Sequence, residues 1–385
     1  MPQRYGDISL LEKLGLFLVF LSMPCIALMG ALTAPWGVHW KKSWSRIVTI
    51  RLLRYLFDTT SATQLQWYLG TSVANYTRWT EKHGYQSTID DIGQGARLLW
   101  VGEKRYDRVI LYIPGKPTLG VWLTDTDVRY QGGGFVYPIY DQLIDFVRLL
   151  QSEVGRGTSP VGMVILDYGL APYVNFPTPL RQANTALSHL FSLGVSPQCL
   201  QIIADSAGAH ITLQGLSHAL HPQILDAIPR SPLAPMLDSP QSMPRLKGIY
   251  LLAPYTYHDA AHQSACFKEN DGRDFASAAQ YWYWGSRMPC VPREQHPFIE
   301  AAAAPLDWFD GADRVVERML VTAGEYELLR DHIIDFCHAH LQKFKALTFI
   351  LVEEGVHGDP ILTIGQPEGA KATEKIVAWL KEGFE

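Results

Sequence analysis

The sequence has few cysteines and no strong excess of either charge. Five cysteines, scattered among 385 residues, form neither a disulfide framework nor a CxxC metal pattern. A formal net charge of -5 gives no electrostatic footprint for nucleic acid. No GxxxxGK loop or dinucleotide fingerprint precedes a helix, which argues against a nucleotide site. We therefore expect no organic cofactor, no metal and no nucleic-acid partner.

The longest hydrophobic run lies near the N-terminus. Between Lys13 and Lys41 the chain carries no Asp, Glu, Lys or Arg, and an apolar helix of this length spans the ~30 Å hydrocarbon layer of a bilayer. A cleaved signal peptide usually has a shorter apolar core and a more basic leading flank, and a buried core helix is the other alternative. We predict a membrane anchor followed by a basic juxtamembrane helix, together residues 1–58.

Two signals disagree about the orientation of this anchor. Basic residues follow the apolar run, which favours a cytoplasmic position for the remainder of the chain. Asn75 begins an Asn-Tyr-Thr sequon, which accepts a glycan only if that remainder is lumenal. Alternatively, the basic run lies in the headgroup region as an amphipathic helix. We predict a single-pass membrane protein of the endoplasmic reticulum with Asn75 as a glycosylation site, and leave the orientation open.

From about Asp107, short apolar runs alternate with amphipathic stretches, which is typical of a mostly parallel sheet covered by helices. We predict an α/β fold with helices on both faces of the sheet and one catalytic domain over residues 59–385. Residues 60–105 and 255–300 fit this rhythm poorly and are predicted as a small cap. The predicted strands are RVILYI, VGMVILDY, LQIIAD, LKGIYLLAP, RMLVTAG and LTFILVEE.

The run LQIIADSAGAH carries the strongest chemical signal. It places Ser206 directly after an apolar strand, between the small residues Ala204 and Gly208. Small neighbours are needed because the serine backbone is strained and the following helix passes close to the strand. The serine oxygen then lies at a helix N-terminus, where a developing oxyanion is favoured. This nucleophile-elbow pattern predicts Ser206 as a catalytic nucleophile.

A serine nucleophile needs a base, and the base needs a carboxylate to orient it. In this architecture the chain order is Ser, then Asp or Glu, then His. His357 follows the last predicted strand, and Glu325 and Glu327 follow the preceding one. We predict Ser206, Glu327 and His357 as the catalytic residues, with Glu325 as the second choice for the acid.

Four motifs in order now give a family resemblance, which covers about residues 107–380. The motifs are LDYGLAP, ADSAGAH, EYELLRD and GVHGD. With them the chain resembles the hormone-sensitive-lipase-like branch of the α/β-hydrolase family, whose members carry HGGG, YRLAP, GDSAGG and D-x-L-R-D segments and a late histidine. The resemblance implies an α/β-hydrolase fold and a serine carboxylic-ester hydrolase. The chain is also similar to fungal, membrane-anchored, steryl acetyl hydrolase-like esterases, which implies an apolar sterol-like or secondary-metabolite ester as substrate.

The chain departs from this family where the HGGG turn is expected, because it reads YIPG there. The family turn supplies oxyanion donors together with the N–H after the nucleophile, which implies Gly133, Gly134 and Ala207 in this chain. Deleting residues 116–132 would rejoin the strand to its glycines as YIPGGGFVYP. We hypothesise that this segment is a retained intron, with an ordinary loop insertion as the alternative.

Departures at other motifs are smaller: Gly169 replaces the Arg of YRLAP, Ala204 the first Gly of the elbow, and Glu327 the usual Asp. His258 and His262 have the spacing of a metal pair but no evident third ligand, so we interpret them as solvated or structural.

Two other functions stay open. One is a non-hydrolytic condensation or cyclisation on the same scaffold, and the other is a catalytically impaired isoform.

Overall fold

The structure, a computed structural model, describes residues 5–37, 42–115, 137–171, 173–238, 244–257, 263–285 and 289–385. Within these ranges eight strands form a single sheet in the order β1-β2-β4-β3-β5-β6-β7-β8. The strands are β1 (Thr88–Gly93), β2 (Ala96–Trp100), β3 (Val109–Ile113), β4 (Gly162–Asp167), β5 (Leu200–Asp205), β6 (Gly248–Leu252), β7 (Met319–Gly324) and β8 (Leu347–Val352).

Fourteen α-helices lie within the described ranges. They are α1 (Leu10–Thr33), α2 (Trp44–Thr59), α3 (Ala62–Leu69), α4 (Ser72–Lys82), α5 (Asp141–Gly155), α6 (Thr178–Ser192), α7 (Ser206–Leu220), α8 (Ala234–Asp238), α9 (Cys266–Glu269), α10 (Ala278–Gly285), α11 (His296–Ile299), α12 (Arg330–His340), α13 (Asp359–Leu362) and α14 (Pro367–Glu382).

The six strands expected from apolar runs are present as β3 to β8, and they pair in parallel. This confirms a mostly parallel α/β sheet. The exception is the edge formed by β1 and β2, which pair antiparallel with each other, while β2 also runs antiparallel to β4. Both strands fall in the 60–105 segment expected to cap the site. The sequence of β1, TIDDIG, is that of a largely polar edge strand, which conceals it among the surrounding residues.

The sheet separates two hydrophobic cores because successive side chains of each strand point to opposite faces. Along β3, Leu111 packs on one face with α6, α7 and α12, whereas Ile110 and Tyr112 pack on the other with α5 and α14. Helices on both faces therefore exclude water from the parallel strands, which are buried along nearly their whole length apart from β8. This leaves the carboxyl ends of the strands as the place where loops can assemble a site.

The N-terminal helices pack against the part of the structure that contains the sheet. α1 is long enough and apolar enough to cross a membrane, with a mean hydropathy of 2.2, by length and composition only. α2, predicted as a juxtamembrane helix, contributes Phe57 to a cluster with Phe275 and Tyr137, with ring centroids 5.4 and 6.2 Å away. Arg46 of α2 forms a buried ion pair with Asp359, two residues after His357. α2 is therefore part of the support of the loop that carries His357.

The predicted glycan at Asn75 does not fit this structure. The Asn75 side chain is 2% exposed. Its Nδ2 atom, the atom to which an N-linked glycan is attached, donates a hydrogen bond of 2.8 Å to the carbonyl of Ile139. Because α4 packs against α5 here, a glycan on that nitrogen would have to displace the packing. We correct the assignment accordingly: Asn75 is a structural side chain that joins α4 to the residues before α5.

We predict that Arg46→Met lowers the free energy of unfolding by about 3–5 kcal/mol, because it leaves the Asp359 carboxylate buried without its partner. Urea unfolding in detergent solution would measure this loss. The matched control is Arg230→Met, which breaks the exposed Arg230–Asp238 pair and should cost about 0–1 kcal/mol. Equal losses in the two variants would show that the Arg46–Asp359 pair does not hold α2 to the domain.

Candidate active site

Ser206 occupies the turn between β5 and α7 that the sequence predicted. Its φ angle is +47°, a left-handed conformation that is strained for a side-chain-bearing residue. Two glycines permit a close approach between backbone segments here. A Cβ on Gly208 would lie 2.0 Å from the carbonyl oxygen of Ile113, and a Cβ on Gly115 would lie 2.2 Å from the carbonyl oxygen of Asp205. The absence of side chains at these points lets the start of α7 contact the end of β3 directly.

Three side chains from separate elements form a chain of hydrogen bonds at this edge. Ser206 Oγ lies 2.8 Å from His357 Nε2, and His357 Nδ1 lies 2.5 Å from Glu327 Oε1. Ser206 and His357 are 8% and 6% exposed, and Glu327 is fully buried. Parallel strands bring them together, because Ser206 follows β5, Glu327 follows β7 and His357 follows β8. The arrangement matches the geometry needed for a base-activated serine.

The structure distinguishes the two carboxylates considered for the acid. Glu327 contacts the His357 ring through Oε1 and accepts a 2.8 Å hydrogen bond from the Gly324 N–H through Oε2. The Glu325 carboxylate instead accepts from the Glu354 N–H at 2.7 Å. Both oxygens of Glu327 are therefore engaged in fixing one side-chain position, which offsets the additional rotatable bond of glutamate relative to aspartate.

The electrostatic surroundings favour a charged His357. Burial alone would lower the pKa of this imidazole, but the charge of Glu327 and its hydrogen bond, together with the charges of Asp274 and Asp205, outweigh the desolvation and raise the pKa. An imidazole that is stabilised as its cation accepts a proton readily. The site is therefore arranged to take a proton from Ser206 Oγ and hold it.

Asp274 is a second buried carboxylate beside the Glu327–His357 pair, and no sequence motif predicts it. Its Oδ1 accepts hydrogen bonds from the backbone N–H groups of Phe275 and His357, and its Oδ2 accepts from that of Leu328. It thus joins the loop of His357 to the turn of Glu327. Burial, only partly offset by His357, raises the pKa of Asp274 to about 6. It lies in a segment without strand or helix periodicity, which conceals it in the sequence.

Asp205, the residue before Ser206, holds the other side of the elbow. One of its carboxylate oxygens, Oδ1, accepts hydrogen bonds from the Tyr112 hydroxyl and the Gly115 N–H, each at 2.7 Å. Burial raises the pKa of Asp205 to about 6, although these two donors and His357 act in the opposite direction. Asp205 therefore fastens the end of β3, where the expected glycine turn would begin, to the turn that carries Ser206.

The remaining predicted residues divide into two groups. Ala207 lies in the first turn of α7, where backbone N–H groups have no acceptor within the helix. Other predicted positions lie outside the described residues: Gly133, Gly134, His258, His262 and the segment 116–132. In the part of the chain that the structure describes, no group of three or more His, Cys, Asp or Glu side chains could hold a metal ion.

Aromatic rings flank the imidazole. Phe275 and Tyr281 each have a ring centroid 6.0 Å from that of His357. Tyr281 begins the YWYW run in α10, within the segment 255–300 that is predicted from the sequence as part of a small cap. With Phe57 of α2 packed against Phe275, this side of the site is lined by apolar rings contributed by two distant parts of the chain.

This chain belongs to the α/β-hydrolase family. The family profile described as alpha/beta hydrolase fold matches residues 128–359, more than half of the chain. The match includes Ser206, Glu327 and His357. No curated protein matches the sequence significantly. The family predicted from the sequence motifs is thus confirmed.

Solved structures with the same fold include members of the predicted branch. The chain is similar to an esterase from the bacterial hormone-sensitive lipase family, with 19% identity, a TM-score of 0.62, and coverage of 89% of this chain and 99% of that one. It is also similar to carboxyl esterase 2 from the mycorrhizal fungus Tuber melanosporum, with 21% identity, a TM-score of 0.53, and coverage of 78% and 88% respectively. At these identities the likeness establishes the fold.

We predict that Asp274→Asn lowers the pKa of His357, because the change removes a negative charge that stabilises the imidazolium. A histidine whose pKa is higher in the folded protein than in the unfolded chain stabilises the fold. This stabilisation is complete below the pKa in the unfolded chain, 6.5, and is lost as the pH rises through the pKa in the folded protein. In the variant this loss should therefore occur at lower pH. Long-range ¹H–¹⁵N spectra of the imidazole would measure the pKa, and urea unfolding against pH would measure the stability.

The matched control for this substitution is Asp335→Asn, which removes an exposed carboxylate from α12 and should leave both quantities unchanged. Asn also loses the acceptor for the Leu328 N–H, so Asp274→Asn should cost about 1–3 kcal/mol. A lower stability at every pH with an unchanged His357 pKa would mean that Asp274 acts only as a backbone support.

Proposed function

We propose that the protein is a serine-dependent carboxylic-ester hydrolase. The observation that carries this proposal is the continuous hydrogen-bonded chain from Ser206 Oγ through His357 to Glu327, at 2.8 and 2.5 Å, on the strained turn after β5. Membership of the α/β-hydrolase family and the likeness to solved esterases support the same chemistry. The proposed catalytic residues are Ser206, His357 and Glu327.

Ser206 Oγ attacks the ester carbonyl carbon while His357 Nε2 takes the hydroxyl proton. The tetrahedral intermediate collapses, the carbon–oxygen bond to the alcohol breaks, and His357 returns the proton to the leaving alkoxide. Water then loses a proton to His357 and attacks the acyl-enzyme. Collapse of the second intermediate releases the carboxylic acid, and the proton returns to Ser206. The cycle requires no cofactor.

Glu327 acts by holding the imidazole in the orientation this cycle requires. Its contact with Nδ1 keeps Nε2 directed at Ser206, and its charge stabilises the imidazolium formed in each half-reaction. The N–H groups of Ala207, Gly133 and Gly134 are proposed to bind the oxyanion. Position supports this role for Ala207, since its N–H belongs to the first turn of α7, beside Ser206.

The proposed substrate has an apolar alcohol part and a short acyl group, such as an ester of a sterol or of a polycyclic secondary metabolite. The rings of Phe275, Tyr281 and Phe57 support this choice, because they make one side of the site suited to an apolar surface. We propose that residues 59–385 carry the chemistry and that the N-terminal segment attaches the protein to a membrane, with the endoplasmic reticulum as the predicted location.

We predict that Ser206→Ala and His357→Ala each remove nearly all turnover of a p-nitrophenyl acetate probe, and that the double variant adds little, because the two residues act as a unit. Glu327→Gln should cost less than either. The matched control is Glu325→Gln, whose carboxylate contacts the Glu354 backbone and not His357. If Glu325→Gln were the more damaging of the two, the acid would be misassigned.

The same variants test the non-hydrolytic alternative. A fluorophosphonate reagent labels an activated serine whether or not the natural reaction is hydrolysis. Labelling of Ser206 without turnover of any short-chain ester would contradict the hydrolase and favour a condensation or cyclisation that uses His357 as a base. Failure to label the folded protein would indicate a catalytically impaired form.

We also predict that deleting residues 116–132 raises ester turnover by at least about tenfold. Removing one oxyanion donor typically costs about 100- to 1,000-fold in rate, and rejoining Gly115 to Gly133 would tie the proposed donors to the end of β3, which Asp205 holds. Kinetics on both forms, matched for folded protein by circular dichroism, would measure the change. Equal or lower turnover after the deletion would identify the segment as a genuine loop and exclude the retained intron.

A further inference from the structure

The apolar helix α1 packs along α2 and against α3. Polar contacts fix it near its start, its middle and its end, and each involves a side chain of α2 or α3. The contacts are Gln64 Nε2 to the Glu12 carbonyl at 2.7 Å, the Ser22 hydroxyl to the Tyr55 hydroxyl at 2.6 Å, and Arg51 Nη1 to the Thr33 hydroxyl. Because both ends are held, one side of α1 is a packed face.

The opposite side of α1 is an apolar stripe. Its members recur at spacings of three, four or seven residues, which place them on one helix face. Each of them is between 54% and 84% exposed. The stripe consists of Leu10, Leu14, Phe17, Leu21, Leu28 and Leu32. An exposed apolar surface of this length, without a charged side chain after Lys13, marks a contact with another apolar medium.

Aromatic and basic side chains border this stripe in the way that suits a lipid surface. Trp36 and Trp44, which follow α1 and begin α2, are 84% and 60% exposed. Trp67 and Tyr68 of α3 are 45% and 57% exposed, and Lys13 lies over the Trp67 ring at 5.3 Å. Amphipathic rings of this kind occupy the headgroup level of a bilayer, and lysine side chains extend toward it.

We propose that α1 lies in the plane of one membrane leaflet, with its apolar stripe in the lipid and its packed face on the hydrolase domain. A crossing helix would be surrounded by lipid on all sides through the hydrocarbon layer. To cross, α1 would have to leave α2 and α3, or carry α2 with it. α2 bears Arg46, Arg51 and Arg54, and charged side chains at that depth are strongly disfavoured.

α2 is held outside the bilayer by the domain itself. Arg46 pairs with buried Asp359, and Arg54 pairs with Asp271 at 2.5 Å. The helix pair α1–α2 therefore joins the lipid surface to the domain as one rigid layer. Interfacial helices insert about 5–10 Å into the headgroup and acyl boundary and keep a polar side toward water. α1 has no such polar side, and α2 and α3 cover its second side instead.

This attachment also explains how an apolar ester would reach the site, a consequence that rests on the proposed function. Phe57 of α2 packs against Phe275, and Phe275 contacts His357. One helix thus separates the lipid-facing stripe from the aromatic side of the site. A substrate dissolved in the leaflet would approach the protein on the face where that site lies.

Spin labels at single cysteines would measure the depth of α1. Leu14, Leu21 and Leu32 would each be changed to Cys in the full chain, in which Cys25, Cys199 and Cys290 are replaced by Ser. Each labelled protein would then be bound to vesicles of phosphatidylcholine with about 20% of the anionic lipid phosphatidylserine. The depth of each label follows from the ratio of its collision rate with oxygen, which enters the bilayer, to its collision rate with a water-soluble nickel chelate. An in-plane helix gives three equal depths within ~5 Å, near the headgroup boundary.

A crosslink would report whether the packed face stays packed in the same vesicles. A Cβ placed on Gly30 would lie 3.9 Å from the Val48 Cα and 3.7 Å from its Cγ2. The pair Gly30→Cys and Val48→Cys should therefore form a disulfide under mild oxidation. The matched control is Leu28→Cys with Val48→Cys, in which Leu28 belongs to the lipid-facing stripe and should not crosslink. Circular dichroism melting would confirm that each variant folds.

Equal depths together with the Gly30–Val48 crosslink would support the proposal. A deep label at Leu21 between shallow labels at Leu14 and Leu32, without the crosslink, would overturn it in favour of a single crossing. Labels that remain exposed to the aqueous chelate, or that broaden one another through a second copy in the absence of lipid binding, would also overturn it. None of these readouts depends on ester turnover, so failure here is distinguishable from failure of the proposed function.

Discussion

The close approach of α7 to the end of β3 is the constraint on which the site depends. At Gly208 and Gly115 there is no space for a Cβ atom, so backbone meets backbone on both sides of Ser206. The strained Ser206 conformation persists because the parallel pairing of β5 with β3 and β6 fixes the chain before the turn and α7 fixes it after. The backbone thereby directs the serine oxygen toward His357 Nε2, which lies 2.8 Å away.

Buried negative charge then determines the behaviour of the imidazole. Three carboxylates, Asp205, Asp274 and Glu327, lie in a water-poor region around His357. Backbone N–H groups, rather than arginine or lysine side chains, satisfy much of their hydrogen-bonding capacity. In such surroundings charges interact strongly, and the protonated form of His357 is the cation that compensates them. The Asp205 contact ties the end of β3 to the turn after β5, and the Asp274 contacts tie the turn after β7 to the loop after β8. Electrostatics and loop geometry therefore have a common origin here.

The N-terminal helices extend this arrangement outward. Through Arg46 and Phe57, α2 supports the His357 loop and the aromatic side of the site, and α1 covers α2 while exposing an apolar stripe. A part of the chain that composition marks as a separate anchor is therefore continuous with the packing around Ser206. Membrane attachment and substrate access are properties of one surface if α1 lies in the leaflet.

The sequence by itself determined the six parallel strands, the elbow at Ser206 and the order of serine, acid and histidine. These features depend on local signals, namely apolar runs, small residues beside a strained turn, and motifs at strand ends. Only the tertiary structure decided between Glu327 and Glu325, which are two residues apart and chemically identical, because the choice depends on which carboxylate the turn after β7 directs at His357. It also revealed Asp274, buried Asn75, the strands β1 and β2, and the packed position of α1. Those features arise from contacts between residues distant in the chain, and such contacts leave no periodicity in the sequence that could predict them.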